Sequence, residues 1–361
     1  MDTSFIDTIQ RTSTISFPGL FGDWSINPPA YFTLFGRNIY FYGVIIALGF
    51  ILGISYCARN SERFGIRKDD VYDLVLWIIP LSIIGARLYY VAFKLDYYLS
   101  RPAEIIEIWN GGLAIYGGVI VGVLTMFLFC RRKKIPAAAM FDLLIYGLLI
   151  GQIIGRWGNF MNREAFGAET DIFCRMLLTA PNGSSIAVHP TFLYESLWNL
   201  VGLAALIAWE RRGGRRYDGQ AALGYFLWYG TGRAWIEGLR TDSLYIGSTG
   251  IRVSQLLSAL LALTALALLI YNSRRSHAPL YASRAADDAP ETASEAEDSP
   301  EAEGAPEAEG APEAEDAPEA EDAPETDEAP EAKDAGEAES AETEEAEEET
   351  DENDDNEGEE K

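Results

Sequence analysis

Gly151-Gln-Ile-Ile-Gly155-Arg156-Trp157-Gly158-Asn159-Phe160-Met161-Asn162-Arg163-Glu164-Ala165-Phe166-Gly167 is the stretch on which the reading of this chain turns. It continues an apolar run that starts near Met140, so Arg156 and Asn159 fall inside a membrane helix. A charged side chain at that depth costs roughly 3 kcal/mol even on lenient insertion scales, which makes it a functional-site hypothesis by default. Gly147, Gly151 and Gly155 recur every fourth residue on the same run and predict a face that another helix approaches closely.

Working outward, hydrophobic runs near the ~20 residues that cross ~30 Å of hydrocarbon cover Arg37–Arg59, Val71–Phe93, Gly111–Cys130, Met140–Phe160, Pro190–Glu210, Ala221–Gly238 and Ile251–Tyr271. Their connections alternate in charge. Arg59, Arg63, Arg67 and Lys68 fall on one side, with Arg131 to Lys134, Arg211 to Arg216, and Arg274, Arg275 and Arg284. The other side receives only Arg11 and Arg37, Lys94 and Arg101, Arg163 and Arg175, Arg240 and Arg252. The positive-inside rule then predicts an all-α integral membrane protein of seven transmembrane helices, N-terminus outside and C-terminus cytoplasmic. The segment 1–36 lacks the basic n-region and continuous apolar core of a signal peptide. It is expected to lie on the membrane surface or to hang as a loose terminus.

Residues 37–271 form the expected membrane domain and 272–284 a basic juxtamembrane segment. From 285 to 361 the chain carries repeats such as Glu-Ala-Glu-Gly-Ala-Pro at 301–306 and 307–312, and then a plain acidic run. Hence the net charge of −27 belongs to the tail, and the rest of the chain is net positive. Such a segment buries too little apolar surface to offset its ordering entropy, so it is expected to be disordered, with an unknown partner. Cys57, Cys130 and Cys174 are divided between the two sides, and there is no paired Cys or His spacing for a metal. Neither a disulfide framework nor a metal nor another cofactor is expected.

After the loop cations are set aside, Arg87, Arg156 and Arg233 remain inside spans that run from cytoplasm to outside. At 1.5 Å per residue each lies roughly 18–24 Å from the inner start of its run. That similar depth predicts a positively charged cavity toward the outer leaflet. Arginine's planar fork suits phosphate, so the expected ligand is an anionic phospholipid headgroup. Arg156 and Asn159 share a helix face, as do Arg233, Glu237 and, a further turn on, Arg240. Glu237 reads either as a neutralising partner of Arg233 or as part of the site. Glu195 reads as a partner for an arginine rather than as a base.

The thirteen residues Gly155 to Gly167 resemble the signature of phosphatidylglycerol–prolipoprotein diacylglyceryl transferases. Similar segments occur at Tyr42-Gly43, Gly85-Ala86-Arg87-Leu88-Tyr89-Tyr90, Trp109 to Gly118, His189 to Glu195, and Gly232-Arg233 through Glu237. They run in order from about Pro28 to Ile270 and leave out the tail. The resemblance implies a seven-helix enzyme of the bacterial inner membrane. It would move the diacylglyceryl group of phosphatidylglycerol onto the lipobox cysteine of preprolipoprotein signal peptides, releasing glycerol phosphate. By resemblance, Arg156 and Arg233 contact phosphate; Asn159, Glu164 and Gly167 shape the headgroup site; Tyr42 lines it; Glu237 orients Arg233. Arg87 and Arg240 join the expected phosphatidylglycerol ligands.

One position departs from the family. Tyr116 stands where a histidine, assigned as the base, is common. With an ordinary pKa near ~10 against ~8.5 for a thiol, tyrosine is a weak base, so Tyr116 is expected to line the site. The competing class is an anionic-solute transporter or channel, in which the arginines would select ions. No inverted repeat supports it. A lipid-binding scaffold that works through its acidic tail is a third reading. Nucleic acid is not an expected partner.

Overall fold

The computed structural model describes residues 13–241, 243, 245 and 249–287. In chain order its main elements are strands β1 (Thr14–Ser16), β2 (Ser25–Ile26), β3 (Tyr31–Leu34) and β4 (Arg37–Tyr40), then helices α1 (Phe41–Asn60), α2 (Lys68–Phe93), α3 (Ile115–Lys133) and α4 (Ala137–Asn162). Strands β5 (Met176–Thr179) and β6 (Ser185–Val188) follow, and then α5 (Thr191–Arg211), α6 (Gln220–Ile236) and α7 (Val253–Ser273). Among the described residues six helices are long and apolar enough to cross a membrane, namely α1 to α5 and α7. The sixth hydrophobic run becomes α6, with 17 α-helical residues, and tightens into a 3-10 turn at Glu237–Leu239. The chain is thus a mostly helical, multi-pass membrane protein.

Two expectations need correction. The fold is not purely helical: β2-β1-β5-β6 form an antiparallel four-stranded sheet, and β3-β4 a separate hairpin. Strands of two to four residues are too short for an alternating pattern to stand out in the sequence. Nor is the N-terminal segment a loose end from Ser13 onward, because β1 pairs with β5 in the connection after α4. The first membrane helix accordingly starts at Phe41, since Arg37–Tyr40 is strand. Residues 1–12, and the acidic tail from 288 onward, lie outside the described residues. Residues Tyr281–Asp287 form a short helix, so the expected tail boundary at 285 falls inside an element.

The chain divides into two compact units. The first, among the described residues, runs from Ser13 to Gly85 and from Gly118 to Asp287. Its core gathers Leu74, Met126, Met140, Leu143, Tyr146, Leu149 and Tyr225. Helices α1 and α4 pack through small residues: a Cβ on Gly53 would lie 2.7 Å from the Gly147 carbonyl oxygen, and one on Gly49 3.4 Å from the Gly151 Cα. Without side chains between them the backbones come close enough for dispersion and weak polar contacts. Gly155 continues that face against Ile46. Pro80 lies within α2 without ending it.

The connections that carry the basic clusters meet at one end of this unit. Lys133 reaches Asp70 and Asp73, each at 2.8 Å. Asp142, fully buried, accepts the Gly219 and Ala222 amides at 2.7 and 2.8 Å and so caps the start of α6. Arg215 lies 3.5 Å from the same carboxylate and donates to the Arg63 carbonyl. After α7 the chain folds back, where the Tyr281 amide binds Asp218 and the Ala282 backbone packs on Gly65. At the other ends of α4 and α5 sits the four-stranded sheet, with Ile15, Phe17, Met176, Leu178, Val188 and Phe192 beneath it.

The second unit, among described residues, is Ala86–Gly117. Its centre is Arg87, which donates to the carbonyls of Glu104, Ile105, Gly111 and Gly112 over 2.6–3.0 Å. The guanidinium also faces the rings of Tyr98 and Tyr90. Gly111 and Gly112 hold φ of 83° and 69°, backbone values suited to glycine, which aim both carbonyls at one guanidinium.

Candidate active site

Five side chains form a charged cluster in the first unit. Glu195, in the second turn of α5, is its hub. Its Oε2 lies 2.6 Å from Arg156 Nη2, and its Oε1 lies 2.8 Å from Arg233 Nη1 and 3.7 Å from Arg240 Nη1. Glu237 is the second carboxylate, 2.6 Å from Arg233 Nη2 and 3.9 Å from Arg240 Nε. Helical spacing alone brings Arg233 and Glu237 together. The 3-10 turn that closes α6 then swings Arg240 back over the pair.

Among the described residues, three guanidinium groups face two carboxylates in this cluster. Glu237 is fixed further by Ser243 Oγ at 3.0 Å, and its backbone carbonyl accepts Arg252 at 2.9 Å. The arginines differ in what remains for a ligand. Among the described residues Arg156 engages only Nη2, which leaves Nε and Nη1 for an incoming group. Its side chain is 21% exposed, the highest value of the three. Glu195 and Glu237 are almost fully buried, so both carboxylates serve the arginines and not the solvent.

The loop after α4 frames the cluster. Asn159 Nδ2 donates to Glu164 Oε1 at 2.8 Å, and Asn162 approaches the other oxygen at 3.4 Å. The Tyr42 ring covers Gly158 so closely that a Cβ there would lie 2.7 Å from Cδ2. Gly167 pairs with Arg240 in an isolated bridge and donates to the His189 carbonyl at 2.9 Å. A Cβ on Gly167 would sit 2.7 Å from His189 Cβ and 2.9 Å from the Leu239 carbonyl oxygen, so only glycine lets these three strands of chain meet. His189 Nδ1 faces Tyr194 Oη at 3.3 Å, and burial lowers the pKa of the imidazole.

Of the residues the sequence singled out, Arg156, Arg233, Arg240 and Glu237 converge, while Asn159, Glu164, Tyr42 and Gly167 build the adjoining wall. Arg87 and Tyr116 belong to the second unit. Arg87, expected as a headgroup ligand, instead commits its donors to loop carbonyls. Tyr116 stands half-exposed in the first turn of α3. Sequence reasoning underrated Arg163, counted as a loop cation. It is 1% exposed, and donates to the carbonyls of Ser13, Met161 and Pro28 and to Asn27 Oδ1. Its φ of 53° closes α4 in the left-handed region, an unusual site for a bulky residue and the available hint of a special role.

A multi-pass membrane protein with a buried arginine–carboxylate cluster beside a loop of amides and glycines fits an enzyme that handles anionic lipid phosphate. The family description "prolipoprotein diacylglyceryl transferase" matches residues 29–271. Curated relatives described as phosphatidylglycerol–prolipoprotein diacylglyceryl transferases include one from Limosilactobacillus reuteri, 46% identical over 254 residues, covering 68% of this chain and 90% of the relative. One from Enterococcus faecalis is 43% identical, covering 69% and 92%. One from Streptococcus agalactiae is 41% identical, covering 71% and 100%. The chain belongs to the prolipoprotein diacylglyceryl transferase family, and it is a transferase of lipoprotein maturation.

Proposed function

We propose that the chain transfers the diacylglyceryl group of phosphatidylglycerol to the lipobox cysteine of preprolipoproteins, with Arg156 as the principal phosphate ligand. The cysteine thiol gives its proton to water, and the thiolate attacks the sp3 glycerol carbon that bears the phosphate. The C–S bond forms as the C–O bond breaks, and glycerol phosphate leaves with the added negative charge. Fixed guanidinium groups out of bulk water stabilise that charge without reorganising during the step. The observation that carries this reading is the Nε–Nη1 edge of Arg156, which no described residue engages, beside Arg233 on the same carboxylate. Arg233 and Arg240 add to the field and are held by Glu195 and Glu237. Tyr42, Asn159, Glu164 and Gly167 shape the headgroup wall.

The proposal includes a seventh span through α6, an outside N-terminus, a cytoplasmic C-terminus and a site toward the outer leaflet of the inner membrane. The alternation of basic connections supports that orientation. An anionic-solute pathway is not favoured, because the family relationship points to group transfer. The test uses bilayers containing phosphatidylglycerol and a lipobox peptide. The wild-type chain should add one diacylglyceryl mass to the cysteine. Arg156→Lys keeps the charge and loses the fork, and should lower turnover by about 10²-fold, as loss of a preorganised charge-stabilising donor does elsewhere. Turnover near wild type in that variant would remove Arg156 from the role.

A further inference from the structure

The β3–β4 hairpin has one polar and one apolar face. Tyr31 pairs with Tyr40 and Thr33 with Asn38, and Thr33 Oγ1 donates to Asn38 Oδ1 at 3.0 Å. On the opposite face Phe32 pairs with Ile39 and Leu34 with Arg37. The tip is Phe35-Gly36, with φ of 50° and 73°. That is the geometry of a two-residue hairpin turn, in which asparagine and glycine are the favoured residues. A phenylalanine there is strained, and it is 95% exposed, so no contact within the protein repays it.

An isolated two-stranded hairpin is marginal in water unless its apolar face packs on something. Here protein covers little of that face. The Phe32 ring meets Phe41 at 5.3 Å, in the first turn of α1, while Leu34 stays exposed. No residue separates Tyr40, at the end of β4, from Phe41, at the start of α1. From there α1 carries Val44, Leu48 and Ile51 exposed along a membrane-length helix. The apolar face of the hairpin therefore continues the lipid-facing surface of α1. Arg37, paired with Leu34, is the one cation on that face and stands four residues before α1 begins.

We propose that the hairpin lies in the plane of the bilayer interface, with Phe32, Leu34 and Phe35 in the upper acyl region and Arg37 on lipid phosphates. Aromatic side chains concentrate at that depth, and long cations reach from it to the headgroups. The strained tip is kept for lipid contact. The hairpin then sets the height of Tyr42, one residue into α1, against the lipid that the site must engage.

Depth can be measured with a nitroxide on single cysteines in the full chain, in a Cys174→Ser background, since Cys57 and Cys130 are buried. In bilayers, a label at Phe35→Cys should collide more with oxygen than with a water-soluble nickel chelate, and one at Asn38→Cys should show the reverse. Phe35→Asn suits the turn but removes the apolar tip. It should shift a Leu34→Cys label toward the aqueous signature without altering helix content. Equal aqueous exposure at 35 and 38, or a Leu34 label indifferent to Phe35→Asn, would overturn the proposal. A lipid-like signature at 35 that develops only after a lipobox peptide is added would assign the face to the peptide and likewise overturn it.

Discussion

Glu195 holds Arg156 on one oxygen and Arg233 on the other, and so spaces two guanidinium groups that would otherwise repel. Removing one partner of a buried ion pair leaves charge without compensation, which typically costs about 3–5 kcal/mol. Glu195→Gln is therefore expected to lower thermal stability strongly and also to reduce transfer, because Arg156 and Arg233 lose their fixed separation. Melting curves with the peptide assay check both; an unchanged melting temperature would show that the carboxylate is dispensable. His189 makes a different prediction. Burial holds its pKa below the usual 6.5, so the unfolded chain binds a proton that the folded chain resists. Stability should fall as pH drops below about 6.5, and His189→Gln should flatten that slope. Parallel pH dependence in both proteins would place the acid sensitivity elsewhere. At this scale the sequence was informative where contacts are local. Arg233 and Glu237 sit four apart on one helix, and the buried arginines declare themselves by their cost. The hub role of Glu195 was only half legible, since it depends on three helix ends meeting.

The elements around the site are joined by Arg163. It ties the end of α4 to Ser13, Asn27 and Pro28, and so binds the β1–β2 segment to the signature loop. A cation in a connection normally reads as solvated, so nothing in the sequence marks Arg163 as buried. The sheet it supports was hidden for a related reason, since β1 and β5 are far apart in sequence and each is short. The membrane helices were easier, because twenty apolar residues leave few alternatives. Arg163→Met keeps the stem and removes every donor. Several buried acceptors would then lack partners at about 1–3 kcal/mol each, less what water recovers. Limited proteolysis should cut between Ser13 and Pro28 in this variant and not in the wild type. Equal resistance would mean that β1–β5 pairing alone holds the segment.

Across the whole molecule the family match ends at residue 271, yet the chain continues through an ordered clasp before the acidic tail. The Tyr281 amide and the Arg284 guanidinium both reach Asp218, and the Ala282 backbone rests on Gly65 beside the core residue Phe64. Charge composition distinguished the membrane body from the tail but could not register this clasp. Its contacts are a backbone amide, a bare glycine, one ion pair and the lone Tyr281 side chain on the core, too few apolar positions to make a pattern. Two truncations separate the parts. Stopping after Asp287 removes the acidic repeats and keeps every contact that the described residues make in the clasp. Transfer and stability should stay within about twofold and 0.5 kcal/mol, the range usual for changes away from packed features. Stopping after Ser273 also removes Tyr281, Ala282 and Arg284, exposing Gly65 and leaving Asp218 beside the α6 cap without its partners. That variant should melt at a lower temperature even though it contains the entire family match. If the variant ending at Asp287 instead lost transfer at full stability, the tail would be part of the catalytic cycle. Equal melting of the two variants would show that the clasp contributes nothing to the fold.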